Sequence, residues 1–185
     1  MLLFLPMKNR DSILSRLKIR ISKSFIFQKM ETCNIKTPLG IAKIEGDENG
    51  ISVISILSEC EISIDIPKNL QEAVFQIQEY FDKKRTNFNF KTNPKGTDFQ
   101  QKVWKELTNI PFGKTISYLD LAKKLGDPKV IRAAASVNGK NPLWVVVPCH
   151  RVIGTDGSLT GYAGGLWCKK WLLEFENPTN QQSLF

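Results

Sequence analysis

Residues 117–138 read Ser-Tyr-Leu-Asp-Leu-Ala-Lys-Lys-Leu-Gly-Asp-Pro-Lys-Val-Ile-Arg-Ala-Ala-Ala-Ser-Val-Asn. Ser117 followed three positions later by Asp120 is a capping-box pattern, and Leu119, Ala122 and Leu125 give the helix it opens an apolar stripe. Gly126 stops that helix. Asp127 is a good N-cap and Pro128 a good first residue for a second helix, through about Val137. Two short helices joined at Leu125-Gly-Asp127 make a helix-turn-helix candidate. In the second helix Arg132 is followed by Ala133, Ala134, Ala135 and Ser136, so this face can approach another surface closely and present one guanidinium. The alternative is a small-residue helix packed inside the protein, with Arg132 as a solvated edge.

Downstream, Trp144-Val-Val-Val-Pro148 is an apolar run ended by proline and reads as a buried strand or extended segment. Cys149-His150-Arg151 follows at once. A thiol beside an imidazole can be activated as a nucleophile. Neighbours in an extended strand face opposite ways, so direct pairing needs a turn or helical backbone here, and a water bridge would serve instead. A buried structural cysteine is the competing reading. His150 is the single histidine of the chain, and Cys33, Cys60 and Cys168 are scattered without CxxC spacing. No metal is expected, and no cofactor.

Upstream, Asn93-Pro-Lys-Gly96 reads as a linker. Thr97-Asp-Phe-Gln100 then fits a capping box, with Phe99, Val103, Trp104 and Leu107 as a helix face ended at Pro111-Phe-Gly113. From Thr32 the chain is strand-like. Ile41–Glu45 and Ile51–Leu57 flank the turn Gly46-Asp-Glu-Asn-Gly50, Glu61–Ile66 continues the β-branched alternation, and Thr86–Phe90 is a last strand candidate. Between them Pro67 and Asn69 open a helix through Tyr80, with Leu70, Val74, Ile77 and Phe81 on one face. No chemistry is apparent in this unit. The expected architecture is thus a small α/β N-terminal domain of sheet plus helix (31–92), then a mainly helical C-terminal domain (97–177) with a helix-turn-helix. Residues 178–185 form a tail.

Residues 1–30 differ from the rest. They hold seven basic residues and one acidic, and Ile13, Leu17, Ile21 and Phe25 recur every four positions. The segment is a poor secretory signal and resembles an organelle transit peptide; a disordered extension, or a start at Met30, is the plainer reading. The 185 residues are 42% hydrophobic and 24% charged with a net charge of +8, ordinary for a globular protein. No apolar run reaches the roughly 20 residues of a membrane span. Four cysteines are too few for a disulfide scaffold, which points to a reducing compartment. The expectation is cytoplasm in a prokaryote and nucleus in a eukaryote.

Several motifs agree in order. Pro148-Cys-His-Arg-Val-Ile-Gly154, Gly161-Tyr-Ala-Gly-Gly165 and a helix ending Trp171-Leu-Leu-Glu-Phe-Glu176 closely resemble the O6-alkylguanine-DNA alkyltransferases. So do Ile110-Pro-Phe-Gly-Lys-Thr-Ile-Ser-Tyr118, Asp127-Pro-Lys with Arg132, and Asn138-Gly-Lys-Asn-Pro142. The likeness is dense over 97–177, looser over Thr32–Phe90, and leaves out 1–29.

The resemblance implies a DNA repair protein that moves an alkyl group from guanine O6 irreversibly onto its own Cys149. It makes His150 the water-mediated base, Glu176 the residue that holds the imidazole, Asn141 the organiser of the turn, and Tyr118 the proton donor to the departing guanine. Because O6 lies within the base stack, the nucleotide must rotate out. Arg132 would fill the gap, Tyr118 would crowd the phosphate, and Ala133, Ala134 and Ser136 would permit close approach. Lys129 and Lys140 would meet the backbone, and Val152, Ala163 and Gly164 would border the substrate. Some relatives have serine where Ala163 stands, so a backbone N–H is left to face O6. The implied partner is duplex DNA carrying O6-alkylguanine, bound by a monomer with no membrane; O4-alkylthymine stays open as a second substrate. A non-repairing module of the same architecture, a helix-turn-helix regulator and a cysteine hydrolase are the rivals. The hydrolase predicts turnover, and the regulator predicts preference for one operator.

Overall fold

The computed structural model describes residues 29–178. The amphipathic repeat of Ile13 to Phe25 and the end of the tail lie outside those residues. Strands β1 (Glu31–Thr37), β2 (Gly40–Asp47) and β3 (Gly50–Leu57) form an antiparallel sheet with β2 in the centre. Cys33, Ile35, Ala42, Ile44 and Ile54 alternate inward and are buried, as period-2 patterning requires. A 3-10 turn at Lys68–Leu70 leads into α1 (Gln71–Phe81), which buries Ala73, Val74, Ile77 and Tyr80.

The second half is helical. Helix α2 (Asp98–Thr108) begins with the expected reciprocal capping box between Thr97 and Gln100. Strand β4 (Ile116–Ser117) runs directly into α3 (Tyr118–Lys124), whose capping box between Ser117 and Asp120 is also present. Asp127 caps a 3-10 turn at Pro128–Val130, which continues as α4 (Ile131–Gly139). A 3-10 turn at Cys149–Arg151 is followed by β5 (Val152–Ile153), paired parallel to β4, and α5 (Leu166–Glu176) closes the fold.

The two halves share one hydrophobic core running from Cys33 to Leu172. They are also joined through the outer edge of β3. The Ile51 N–H donates to Lys91 O, and the Asn93 N–H donates to Ile51 O. The Ile54 N–H donates to Pro142 O, and the Trp144 N–H donates to Ile54 O. An edge that would otherwise expose unpaired backbone is thereby covered by the chain itself.

Several sequence expectations need correction. Thr86–Phe90 forms no strand: the Asn89 N–H is taken by the Gln76 side chain, and Phe88 and Phe90 pack on the core. Glu61–Ile66 is irregular, touching β1 where the Ser63 N–H donates to Asn34 O and the Asn34 N–H donates to Ser63 Oγ. Cys60 accordingly sits exposed outside any strand. On α3 it is Leu121, not Leu119, that is fully buried beside Ala122. Trp144–Pro148 is a buried turn rather than a strand, with Val145 at φ +67°, a left-handed conformation that a β-branched residue rarely adopts.

Candidate active site

The turn that ends at the thiol is built around one side chain. Asn141 Oδ1 accepts from the Leu143 N–H at 2.9 Å, while Nδ2 faces Val147 O at 2.7 Å, Leu143 O at 3.3 Å and Cys149 Sγ at 3.1 Å. Backbone bonds from Val147 to Leu143 and from Cys149 to Val147 complete it. Asn138 Nδ2, from α4, donates to Cys149 O at 3.2 Å. These contacts hold Val145 in its strained conformation and fix the sulfur, which is 5% exposed.

The 3-10 turn at Cys149–Arg151 has three residues per turn, so Cys149, His150 and Arg151 leave the backbone in three directions rather than two. His150 points inward to Glu176, with Nε2 2.9 Å from Oε1. Donation from Nε2 to a carboxylate assigns the neutral tautomer with its lone pair on Nδ1, and buried Nδ1 has no partner among the described residues. Arg151 grips the same carboxylate with Nε on Oε2 and a terminal nitrogen on Oε1, both at 2.8 Å, and donates to Ile110 O at 2.6 Å. Tyr80 Oη donates to Oε1 at 2.7 Å and the Gly113 N–H to Oε2 at 3.0 Å. Gly113 has φ +70°, and a Cβ there would come within 3.0 Å of Glu176 O. Both facts confine this position to glycine.

The electrostatics follow from that packing. Burial alone would raise the Glu176 carboxyl, but hydrogen bonds from His150 and Arg151 hold it far below the usual carboxylate range. Burial lowers the His150 imidazole against the pull of Glu176, leaving it a neutral acceptor at physiological pH. Burial raises the Cys149 thiol, opposed by the Asn141 hydrogen bond, the Lys169 charge and the Tyr162 hydroxyl. At rest the pair is thus a thiol and a neutral imidazole, and the surroundings lower the cost of moving the proton between them. Lys169, buried in α5, donates to Val152 O at 2.7 Å and Thr160 O at 2.9 Å. Desolvation lowers its ammonium to about 8.

A cavity of about 110 Å³ adjoins Cys149 and is walled by Asn141, Trp144, Tyr162, Ala163 and Ile54–Ile56 of β3. It shares Gly139, Gly161, Tyr162 and Ala163 with an open cleft of about 730 Å³, bordered also by Tyr118, Ile131, Arg132 and Ala135. Arg132 and Ala163, which line that cleft, are exposed, as are Ala133, Ser136, Lys129 and Lys140, and Tyr118 and Gly164 are half-buried.

Two expected contacts are corrected. Ala134 is fully buried, because α4 turns that position inward, and Ala135 lines the cleft instead. Val152 is also fully buried, with its carbonyl occupied by Lys169. Sequence reading overlooked Tyr80, Gly113, Tyr162 and Lys169. For Lys169 a signal existed: Lys169, Leu172, Leu173 and Glu176 recur at helical spacing, so two charged residues share the stripe α5 buries. Among the described residues no three metal-ligating side chains cluster, and no helix is long and apolar enough to cross a membrane.

The family described as 6-O-methylguanine DNA methyltransferase, DNA binding domain, matches residues 98–178. A methylated-DNA–protein-cysteine methyltransferase of Methanosarcina barkeri is 42% identical over 148 residues, 77% of this chain and 94% of the relative. The constitutive protein of that name from Bacillus subtilis is 50% identical over 109 residues, 58% of this chain and 66% of its own. Among solved structures, the Mycobacterium tuberculosis O6-methylguanine methyltransferase superposes with a TM-score of 0.73 at 37% identity, covering 81% of this chain and 94% of that one. The M. tuberculosis OGT in complex with DNA gives 0.72 at 39% identity, over 78% and 91%. With 42% identity spread over 94% of the Methanosarcina barkeri protein, the chain belongs to the methylated-DNA–protein-cysteine methyltransferases.

Proposed function

We propose that this protein binds duplex DNA as a monomer, receives a rotated O6-alkylguanine in the cleft, and takes the alkyl group onto Cys149. The observation that carries the reading is the sulfur held by Asn141 and followed in sequence by a neutral imidazole, whose Nε2 is committed to an ionised Glu176 and whose Nδ1 has no partner among the described residues. The thiol proton passes through one bridging water to His150 Nδ1. The thiolate displaces the alkyl carbon from O6: the C–O bond breaks as the C–S bond forms, and the electron pair leaves with the purine. In this reading Tyr118, which lines the cleft, gives a proton to that anion, and backbone near Ala163 meets O6. The product thioether has no hydrolytic partner among the residues around it, so each molecule acts once.

The test is an intact mass after incubation with an oligonucleotide containing O6-methylguanine. One added methyl group, mapped to the Cys149 peptide and lost in Cys149→Ala, is the expected result. Unchanged mass, repeated turnover, or methyl on another residue would overturn the reading.

A further inference from the structure

Tyr80 reaches the reacting array from the opposite end of the sequence. Its ring is fully buried and held by Phe81, Phe88, Phe112 and Phe175, with centroids 5.1–6.0 Å away. In such an aromatic cluster phenylalanine would pack as well, and a buried hydroxyl is costly without a partner. The partner here is Glu176 Oε1 at 2.7 Å, the same oxygen that receives His150 Nε2. Arg151 spans both carboxylate oxygens, and the Gly113 N–H holds Oε2.

We propose that Tyr80 is a positioning residue by which the N-terminal unit sets the basicity of His150, drawing charge from Glu176 Oε1 and so keeping the imidazole a neutral acceptor. The inference rests on His150 being the base of the proposed reaction. The charged and titratable groups around the imidazole are Glu176, which favours its protonation, Arg151 and Lys169, which oppose it, and the neighbouring Cys149 thiol. Tyr80 acts one step behind them, through the carboxylate. Without its O–H, Oε1 keeps more charge and attracts an imidazolium more strongly. A more acidic phenol does the reverse.

The chain has a single histidine, so one labelled imidazole signal reports the effect without ambiguity. Its NMR titration midpoint is to be compared in the native protein, Tyr80→Phe, and protein carrying 3-fluorotyrosine at position 80. The expected order is highest with phenylalanine, intermediate with tyrosine and lowest with fluorotyrosine. The Nε2–H proton at neutral pH should move downfield in the same order, which decides the matter where acid unfolding precedes the midpoint. In Tyr80→Phe, the acid limb of methyl transfer to Cys149 should shift upward with the midpoint. Three coincident midpoints and Nε2–H shifts in folded proteins would overturn the proposal, leaving Tyr80 a packing residue. If Tyr80→Phe does not fold, the fluorotyrosine comparison alone decides. Native protein that fails to accept methyl would defeat the repair reading, while the order of midpoints would still judge Tyr80.

Discussion

A carboxylate at the last turn of a helix opposes the macrodipole, and Glu176 stands there only because five donor groups from three parts of the chain converge on it. The pH dependence of stability follows. His150 has a folded value below its ordinary 6.5, so the unfolded chain binds the proton first, and stability falls as pH drops below about 6.5. Glu176 is depressed below its ordinary 4.5, so its contribution is complete above about 4.5 and is lost as pH falls toward its folded value. Thermal melts from about pH 8 to about pH 4 should show Tm falling in two stages, and His150→Gln should flatten the first. At this scale the sequence was legible where chemistry lies in adjacent letters, as with Cys149 and His150, whereas Glu176 was reached only through the family resemblance. Tyr80 was not legible, because its partner lies 96 positions away and a tyrosine on a buried helix face looks like any core aromatic.

The helices were legible because caps and periodicity are local. The α4 register divides Arg132, Ala133 and Ser136, which face solvent, from Ala134 and Val137, which face the core. Arg132→Ala should therefore keep the fold and slow methyl transfer from duplex DNA by about tenfold or more, since extruding a base costs a few kcal/mol. Reaction with free O6-benzylguanine, measured in parallel, should be nearly unchanged. Equal losses on the two substrates would remove Arg132 from base rotation. The segment before Cys149 was not legible. Three valines in a row favour a strand by propensity, whereas the native turn is imposed by the Asn141 side chain and tolerates Val145 at positive φ.

For the molecule as a whole, the α/β-then-helical order was readable from the change of period. The degree of union between the halves was not, since backbone bonds along β3 and a shared core join residues far apart in the sequence. One core crosses the boundary, and β3 is bonded to both Lys91–Asn93 and Pro142–Trp144. Calorimetry should accordingly give one cooperative transition, with calorimetric and van't Hoff enthalpies equal; two resolved transitions would contradict it. The bonded edge of β3 also bears on anyone trimming this protein to a minimal reagent. A fragment beginning at Thr97 would keep the acceptor thiol, the histidine and the helix that carries Arg132. It would leave the carbonyl of Pro142 and the amide of Trp144 bare, a short step along the backbone from the nucleophile, and the loosened loop would blunt the reagent before its fold visibly failed.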